Sequence, residues 1–405
     1  MKVLQINTTV NSGSTGRIAE DIGKLMIKNG HHSYMAAAYT DMPSESVIIP
    51  VGTKIDRTLH GLKTRLLDRH GFGSRGSTKH LIKEMDKINP SIVHLHNIHG
   101  YYLHIGVLFN YLKHKKLPII WTFHDCWPFT GHCSYFDAVN CFKWETECHQ
   151  CPNKKAYPAS WFLDNSIKNF NDKRRIFNGL ENLTIVTPSK WLHDHVKNSF
   201  LSTYPVQCIN NGVDLEIFIP KESVEIRKKY HIPEKKLVLG VANKWDTRKG
   251  FHDFIQLGEG LDESHQIVLV GLNPEQIKSL PGNITGIPRT EDVHDLASLY
   301  SAASVFVNPT YVDNFPTTNL ESLACGTPVI TYDSGGSTEA IDNQTGDSIK
   351  KGDNRGLIKA VNNILGNNKE HYQHSCRKRA VNLYNKHERY SQYYDLYDSM
   401  LNKDH

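Results

Sequence analysis

Apolar and polar residues alternate along this chain on two different scales. Short apolar runs recur between longer stretches in which apolar residues return every three or four positions. The short runs predict buried strands, and the longer stretches, such as residues 16–30 and 295–303, predict amphipathic helices. The predicted strands are residues 2–7, 34–39, 91–96, 119–124, 183–188, 237–242, 266–271, 305–309 and 328–332. Strand and helix in regular alternation indicate an α/β protein with parallel sheets.

One segment interrupts this alternation near the middle of the chain. Residues 208–220, CINNGVDLEIFIP, contain an Asn-Gly turn signal and end in proline. A chain of 405 residues also suits two domains of roughly 100 to 200 residues each. We predict two Rossmann-like, doubly wound domains that face each other across a cleft, with ligands bound beyond the carboxyl ends of the strands. The predicted boundaries are 1–208 for the first domain, 209–385 for the second, and 386–405 for a C-terminal helix that packs back on the first.

Composition narrows the classes of function. The sequence has no run of about 18 apolar residues, which a membrane-spanning helix needs, and its first apolar stretch is too short for a secretory signal. We therefore expect the protein in the cytoplasm, where cysteines stay reduced and clustered cysteines indicate metal before disulfide. The formal net charge of +5 is too mild to indicate a nucleic-acid partner.

Three cations follow the first predicted strand of the second domain. Lys244, Arg248 and Lys249 lie in the loop VANKWDTRKGF, just beyond residues 237–242. Cations between a strand end and a helix suit an anionic ligand such as a diphosphate. A solvated basic turn explains the same spacing, and the pattern alone leaves both interpretations open.

Two acids and a glycine pair follow later strands of the same domain. Asp313 and Glu321 are eight positions apart, so Glu321 lies in the first turns of a helix predicted from Thr317, and Asp313 lies in the loop before it. A carboxylate can accept two sugar hydroxyls, as the ribose-binding acid does in dinucleotide folds. The segment SGGSTE, residues 334–339, brings small residues to a helix start, where backbone N–H groups can approach a phosphate. A plain Gly-Gly turn is the alternative.

Polar residues also follow two strands of the first domain. Asn97 and His99 come after the third predicted strand, and His124 with Asp125 forms the carboxyl edge of the fourth. Side chains at these strand ends would line a cleft. Histidines at such positions are more often structural than catalytic, so a core histidine remains the alternative for His124.

A cysteine-rich segment over residues 126–158 interrupts the first domain. Its four cysteines are separated by seven, six and two residues, and the closing CHQC has the spacing of half a structural zinc site. These cysteines are Cys133, Cys141, Cys148 and Cys151. We predict that they bind zinc, with His132 and His149 as substitute ligands; four reduced loop cysteines, or disulfides formed on handling, are the alternatives. Cys126 falls outside this spacing and has no predicted role.

Three segments give the chain a resemblance to a known family. NKWDTRKG, DNFPTTNLESLACGTPVI and GGSTEAI, in this order, resemble glycosyltransferase family 4, whose pattern is an acid, seven residues, a glutamate and then Ala-Cys-Gly-Thr-Pro-Val. The resemblance continues through VTPSKWL, INNGVDLEIFIP and the first domain, so it covers nearly the whole chain. It implies the GT-B fold and sugar transfer with retention of anomeric configuration.

The resemblance also implies a role for each candidate residue of the second domain. Lys244 and Lys249 would neutralise the donor diphosphate, although the family more often has Arg at the first position. Glu321 would hold the ribose hydroxyls, and Asp313, which replaces the usual Glu, would lie near the transferred sugar. The remaining donor-binding candidates are Arg248, Asn314, Phe315, Gly335, Gly336 and Ser337.

For the first domain, the resemblance implies a sugar contact and an approach for the acceptor. His124 would face the transferred sugar, and Gly13 with Gly16 would let a loop approach the acceptor or the donor phosphates. The remaining acceptor-side candidates are Asn97, His99 and Asp125. The mechanism favoured for the family is front-face attack, in which the departing phosphate takes the acceptor proton. Lysines and helix N-termini can stabilise that phosphate, so we expect no cofactor for catalysis.

Together these implications describe a hexosyltransferase. We expect it to use a nucleotide-diphosphate sugar and a saccharide acceptor, such as a polyprenyl-diphosphate-linked oligosaccharide in surface polysaccharide biosynthesis. A sugar-nucleotide epimerase of the same fold shares the nucleotide cleft and remains a rival hypothesis. A non-catalytic sugar-binding module is a second rival.

Residues 54–87 combine basic charge with helical apolar spacing. They hold nine Lys or Arg against four acids and three histidines, and Leu59, Leu62, Leu66 and Leu67 recur at helical intervals. A basic amphipathic segment suits peripheral contact with the anionic inner face of a membrane. The alternative is an ordinary solvated helix whose leucines pack on the first domain.

Overall fold

The computed structural model describes residues 1–367 and 369–402, which form two compact units. Unit 1 contains Met1–Asn210 and the chain from Tyr390 onward, and unit 2 contains Asn211–Arg389. The division lies two residues after the predicted boundary, and the return to unit 1 begins four residues later than predicted.

Strands and helices alternate through both units, as the hydrophobic pattern predicts. The strands are β1 (Lys2–Thr9), β2 (His32–Tyr39), β3 (Val47–Pro50), β4 (Ile92–Leu95), β5 (Ile119–Thr122), β6 (Leu183–Thr187), β7 (Val206–Cys208), β8 (Lys236–Val241), β9 (His265–Val270), β10 (Ile284–Ile287), β11 (Val305–Asn308), β12 (Val329–Asp333) and β13 (Gly346–Lys350). The α-helices are α1 (Gly13–Lys28), α2 (Lys54–Leu67), α3 (Arg75–Ile88), α4 (Ile105–Lys115), α5 (Ser166–Phe177), α6 (Lys190–Lys197), α7 (Val224–Lys229), α8 (Phe251–Gly260), α9 (Pro274–Lys278), α10 (Val293–Ala302), α11 (Thr317–Ala324), α12 (Asn354–Gly366), α13 (Glu370–Tyr384) and α14 (Lys386–Leu401). Short 3-10 turns cover Trp127–Phe129, Asp137–Val139, Lys143–Glu145, Thr247–Lys249 and Ser337–Ala340. Across residues 1–367 and 369–402, none of the helices is long and apolar enough to span a bilayer.

The strands of unit 1 form one parallel sheet in the order β3-β2-β1-β4-β5-β6-β7. The strand order reverses between β1 and β4, where Val3 pairs with Ile92. Open parallel sheets bind ligands at the carboxyl ends of the strands beside such a reversal. The loops after β1, β4 and β5, which carry the candidates of the first domain, therefore lie at the edge where a ligand is expected.

Unit 2 repeats this arrangement with the order β10-β9-β8-β11-β12-β13, again with parallel strands. Its reversal lies between β8 and β11, where Val305 pairs with Val238. The basic loop follows β8, Asp313 follows β11, and the glycine pair follows β12. Three segments that are distant in sequence thus leave the sheet at the same edge.

Helix α14 completes the core of unit 1. Its residues Tyr390, Tyr393 and Tyr397 are buried in the same apolar cluster as Val3 of β1 and Ile92 of β4. Burial of three aromatic side chains stabilises this docking by several kcal/mol, at about 1.5 to 3 kcal/mol for each large side chain. The last helix of the chain is consequently part of the N-terminal fold.

Candidate active site

The donor-side candidates of unit 2 lie on loops that hydrogen bonds join. Asp246 Oδ1 accepts a hydrogen bond from the Lys249 N–H at 3.0 Å and fixes the 3-10 turn after β8. The carbonyl oxygen of Arg248 accepts a hydrogen bond from the Tyr311 N–H at 2.8 Å. This second contact ties the turn to the loop after β11 and brings the Lys249 side chain next to that loop.

Lys249 and Asp313 meet as an ion pair, although they are 64 positions apart in the sequence. The Lys249 ammonium donates to Asp313 Oδ2, and the Asn314 N–H donates to Asp313 Oδ1 at 2.9 Å. About a fifth of each charged side chain remains exposed. The two residues that the resemblance assigned to the diphosphate and the sugar are therefore in direct contact.

The glycine pair packs directly on the same aspartate. The Gly336 N–H donates to the Asp313 carbonyl oxygen at 3.1 Å. Gly335 has a φ of 57°, and a Cβ there would lie 1.8 Å from that oxygen, so only glycine fits. Ser337 is fully buried one residue further on. Lys249, Asp313 and the two glycines thus form one local cluster.

Glu321, on α11, is oriented by a buried tyrosine. The Tyr300 hydroxyl donates to Glu321 Oε2 at 3.0 Å, and only 9% of Glu321 is exposed. Burial raises the pKa of Tyr300 well above its usual value, so the hydroxyl remains protonated and keeps donating. A carboxylate whose direction is fixed in this way suits the binding of ribose hydroxyls.

Other donor-side candidates have different surroundings. Lys244 is exposed. The guanidinium of Arg248 donates to the Val312 carbonyl oxygen at 3.3 Å, which points it along the loop after β11. Asn314 is buried. The ring of Phe315 packs in the core of unit 2 against Tyr384, with 5.8 Å between the ring centroids.

In unit 1, His124 ends a chain of buried polar contacts that begins on β1. The Gln5 side-chain amide donates to the Ala19 carbonyl oxygen at 2.8 Å, so the Gln5 carbonyl oxygen faces His96, 3.0 Å from its Nε2. A carbonyl oxygen only accepts hydrogen bonds, which places the His96 proton on Nε2 and leaves Nδ1 as an acceptor. His124 Nε2, 3.1 Å from His96 Nδ1, is then the donor. His124 consequently presents Nδ1 as an acceptor.

His96 and His124 have these donors and acceptors only as neutral imidazole rings, and burial keeps both rings neutral. Burial lowers the pKa of His124 to about 4 and holds the pKa of His96 well below its usual value. His94 packs against His96 with ring centroids 4.0 Å apart and the rings tilted by 35°. The hydroxyl of Tyr397, on α14, lies 2.6 Å from His94 Nδ1. The C-terminal helix therefore supports the histidine chain from behind.

His99 and Asp125 form a second contact at this edge. His99 Nε2 lies 2.9 Å from Asp125 Oδ2, and Asp125 Oδ1 accepts a hydrogen bond from the Trp127 N–H at 2.9 Å. Burial alone would raise the pKa of Asp125, but the facing His99 and these hydrogen bonds hold it below its usual value. The Thr8 hydroxyl lies 2.9 Å from the Asn97 carbonyl oxygen and 2.6 Å from that of His99. The three acceptor-side candidates are therefore gathered beside β1.

Gly13 and Gly16 lie in the first turn of α1, at the same edge. A Cβ on Gly16 would lie 2.8 Å from Thr9 Oγ1, so this glycine allows α1 to pack on the end of β1. A Cβ on Gly13 would meet no described atom within 4 Å. Open space therefore lies beside Gly13.

The cysteine-rich segment surrounds a cavity of its own. The cavity is lined by Cys133, Cys141, Cys148, Cys151, His132 and His149, among other residues. His132 Nδ1 is hydrogen-bonded to the buried Asp68 carboxylate, and His132 Nε2 has no hydrogen-bond partner among residues 1–367 and 369–402. Within the same part of the chain, no group of three or more His, Cys, Asp or Glu is arranged to hold a metal ion. The predicted ligands therefore share a cavity without forming a ligand shell.

The turn before this cavity is part of the core. Cys126, which had no predicted role, is fully buried there, and burial raises the pKa of its thiol well above the usual value, which disfavours the thiolate. The buried Lys173 ammonium donates to the carbonyl oxygens of Trp127 at 2.7 Å and Thr130 at 3.0 Å. These contacts hold the turn that lies in the sequence between His124 and the first cysteine of the cavity, Cys133.

Family profiles match both units. The profile described as Glycosyltransferase Family 4 matches residues 15–217, about half of the chain, and the profile described as Glycosyl transferases group 1 matches residues 222–382. The chain belongs to glycosyltransferase family 4. It is a transferase enzyme, as the resemblance implied.

This glycosyltransferase has relatives over most of its length. It is 25% identical over 372 residues to the protein of Escherichia coli (strain K12) named as the colanic acid biosynthesis glycosyl transferase WcaC, which covers 87% of this chain and 88% of that protein. It is 27% identical over 201 residues to the N,N'-diacetylbacillosaminyl-diphospho-undecaprenol alpha-1,3-N-acetylgalactosaminyltransferase of Campylobacter jejuni, covering 46% of this chain and 56% of that one. Sucrose-phosphate synthase of Thermosynechococcus elongatus superposes with a TM-score of 0.74 at 18% identity, covering 98% of both chains. The predicted GT-B fold is confirmed.

Three residues that contact candidate site residues of the glycosyltransferase were not predicted from the sequence. Gln5 and His96 orient His124, and Tyr300 orients Glu321. Each is a polar side chain inside an apolar strand or helix pattern. A buried polar side chain must find a partner, so a polar residue in a predicted core position was the available signal.

Proposed function

We propose that this enzyme transfers a hexosyl unit from a nucleotide-diphosphate sugar to a saccharide acceptor, with retention of anomeric configuration and without a divalent metal. The cluster of Lys249, Asp313, Gly335 and Gly336 carries the proposal. It joins a cation and a glycine turn at the strand ends of unit 2, beside the strand reversal. That combination suits a diphosphate, since the cation supplies charge and glycine lets a phosphate approach the backbone.

The donor and the transferred sugar are proposed to meet four side chains. Lys249, with Lys244, neutralises the negative charge that develops on the leaving diphosphate. Glu321 accepts hydrogen bonds from ribose hydroxyls, in the direction that Tyr300 sets. His124 accepts a hydrogen bond from a hydroxyl of the transferred sugar through Nδ1, because its Nε2 donates to His96.

The proposed reaction is front-face attack. The acceptor oxygen forms a bond to the anomeric carbon on the face from which the diphosphate leaves, while the bond from that carbon to the diphosphate oxygen breaks. The acceptor proton passes to the departing phosphate oxygen. Positioning and charge stabilisation then supply most of the catalysis.

The acceptor is proposed to be a lipid-linked oligosaccharide in surface polysaccharide biosynthesis. The relative in Escherichia coli is named for colanic acid biosynthesis, and the relative in Campylobacter jejuni is named for a diphospho-undecaprenol acceptor. Both names describe those proteins. For this chain, the first supports polysaccharide biosynthesis, and the second supports a polyprenyl-diphosphate-linked acceptor.

We also propose that the cysteine-rich segment binds a structural zinc ion. Its four cysteines line one cavity, and His132 places its unpartnered Nε2 in the same lining while Asp68 holds its other nitrogen. A carboxylate behind a histidine is the usual support of a metal-binding imidazole. The ligands would have to draw together around the ion, and the ion would then stabilise the segment.

A thermal-shift panel of nucleoside diphosphates and sugar nucleotides tests the donor site. Glu321→Ala should abolish the ligand-induced shift, whereas the matched variant Glu225→Ala, at an exposed position of α7, should retain it. An unchanged shift in Glu321→Ala would move the donor site elsewhere.

Conversion of the donor without an acceptor would support the epimerase, and donor binding without turnover would support the binding module. The anomeric configuration of the product, and activity in a chelator, test retention and metal independence.

A further inference from the structure

Helix α2 is oriented with its apolar face outward. Leu59 and Leu62 are 60% and 45% exposed, and Leu66 is also exposed. These leucines lie on one face, because they are spaced by three and four positions. The residues that α2 buries are His60, Gly61 and Thr64. The interpretation that the leucines pack on the first domain is therefore wrong.

Polar contacts lock α2 in this orientation. The His60 side chain lies on the buried side of α2. Its Nδ1 is 3.0 Å from the Ser74 hydroxyl, and its Nε2 accepts hydrogen bonds from the N–H groups of Gly71 and Gly73, each at 3.2 Å. If the helix rotated to bury the leucines, the His60 ring and its partners would lose their hydrogen bonds. Each buried polar group left without a partner would lower the stability of the fold. The exposed apolar face is thus a fixed property of the fold.

A second apolar element adjoins the end of α2. Trp161 and Phe162 are 58% and 69% exposed, and Leu163 is exposed beside them. The Trp161 N–H donates to the Arg65 carbonyl oxygen at 2.7 Å, and the Asn165 side chain donates to the Leu67 carbonyl oxygen at 2.7 Å. We call Leu59, Leu62 and Leu66, together with residues 161–163, the outer face.

The outer face is surrounded by positive charge. Residues 54–67 contain four Lys or Arg and one acid, and residues 154–168 contain three Lys and one acid. Both acids are engaged in local structure: Asp56 accepts hydrogen bonds from the Thr53 N–H and hydroxyl, and Asp164 accepts them from the N–H groups of Cys151 and Ser166. Arg57, Lys63 and Lys154 also donate to backbone carbonyl oxygens. Hydrogen bonding leaves every charge in place, so seven cations still outnumber two acids in these two segments.

We propose that the outer face docks on an anionic lipid bilayer. Exposed leucines on a helix can enter the boundary between headgroups and acyl chains, Trp and Phe favour that boundary, and Lys and Arg bind the lipid phosphates. A protein partner would match the apolar residues equally, but the excess of cations over acids favours a surface of phosphates. Docking would bring the enzyme close to a lipid-linked acceptor, and this part of the inference rests on the proposed function.

Vesicle co-sedimentation of the full chain tests the proposal. Vesicles of phosphatidylglycerol with phosphatidylcholine should bind the protein at low salt, and vesicles of phosphatidylcholine alone should bind it much less. The double variant W161S/F162S and the variant L62Q should each weaken binding by roughly tenfold or more, because apolar burial is lost. The control L383Q changes a leucine of α13 that is 42% exposed and should bind like the parent protein.

Three results would overturn the proposal. The first is absence of enrichment on anionic vesicles, and the second is equal binding by L62Q and the parent. The third is a dimer in light scattering that L62Q converts to a monomer, which would assign the face to a second copy of the chain. Donor binding is measured on the same samples by thermal shift. Variants that lose vesicle binding but keep donor binding support docking, whether or not the proposed transfer reaction is found.

Discussion

Replacing Gln5 with leucine should change which nitrogen of His124 carries the proton, two side chains away. In the parent protein the Gln5 carbonyl oxygen accepts from His96 Nε2, and this contact sets every later donor in the chain. Leucine offers no acceptor. His96 can then keep its proton on Nδ1 and donate to His124 Nε2, which would move the His124 proton to Nδ1.

The magnitude follows from burial. Gln5 and His96 have almost no exposed surface, so leaving His96 without its acceptor should cost about 1 to 3 kcal/mol, and losing the hydrogen bond to the Ala19 carbonyl oxygen about 0.5 to 1.5 kcal/mol more, in the free energy of unfolding. A domain of this size holds about 5 to 15 kcal/mol, and the variant should therefore still fold. If His124 Nδ1 accepts a sugar hydroxyl, losing that hydrogen bond costs about 0.5 to 1.5 kcal/mol, which lowers kcat/KM by roughly 2- to 12-fold.

Nitrogen NMR of the histidine rings at neutral pH is the direct assay. Long-range proton correlations should show His124 protonated at Nε2 in the parent and protonated wholly or partly at Nδ1 in Gln5→Leu. The control is Gln5→Glu, because a carboxyl group keeps an oxygen facing His96 in either protonation state. A leucine variant whose His124 stays protonated at Nε2 would refute the idea that Gln5 sets the tautomer, even if stability falls.

Two further predictions concern stability. Burial lowers the pKa of His60 to about 4, whereas the pKa of histidine in an unfolded chain is near 6.5. Between these two pH values only the unfolded chain binds the proton, so the free energy of unfolding falls as the pH falls. For this group the fall is at most about 1.4 kcal/mol per pH unit. Urea unfolding at pH 7 and pH 5 should show this loss of stability, and the loss should be smaller in His60→Gln. An equal loss in the variant and the parent would contradict a contribution from His60. For the cysteine-rich segment, the purified protein should contain one equivalent of zinc, and Cys148→Ser with Cys151→Ser should lose it together with stability. Less than about half an equivalent, with four titratable thiols in the segment, would rule out the zinc proposal.

The strands that the pattern predicted and those it missed differ in one physical respect. Every predicted apolar run became a strand, whereas β3, β7, β10 and β13 were missed. All four are the outermost strands of their sheets. An edge strand is covered on fewer sides, so its sequence can keep polar residues, as in the exposed positions of β13. Strand β3, with the sequence VIIP, is apolar but only four residues long. Hydrophobic runs detect central strands because those are buried on both faces.

In the candidate site, the sequence predicted single residues but did not predict the contacts between them. Motif spacing identified Lys249, Asp313 and the glycine pair separately, and parallel topology explains why they meet at one edge. Their direct contact depends on the loop after β11 bonding to the turn after β8, which no local pattern encodes. The role of Asp313 as an acid near the sugar remains a prediction, since the structure pairs its carboxylate with Lys249.

Buried polar side chains decide what apolar periodicity leaves open. The spacing of Leu59, Leu62 and Leu66 predicts a helix with one apolar face, but the same spacing fits a face turned inward or outward. His60 settles the choice in the structure, because its two ring nitrogens have partners only beneath the helix. Gln5 acts similarly on β1, where a single amide fixes the direction of two histidines. In both places a polar residue within an apolar pattern determines the orientation of its neighbours: the leucines of α2 face outward, and His124 presents Nδ1 as an acceptor.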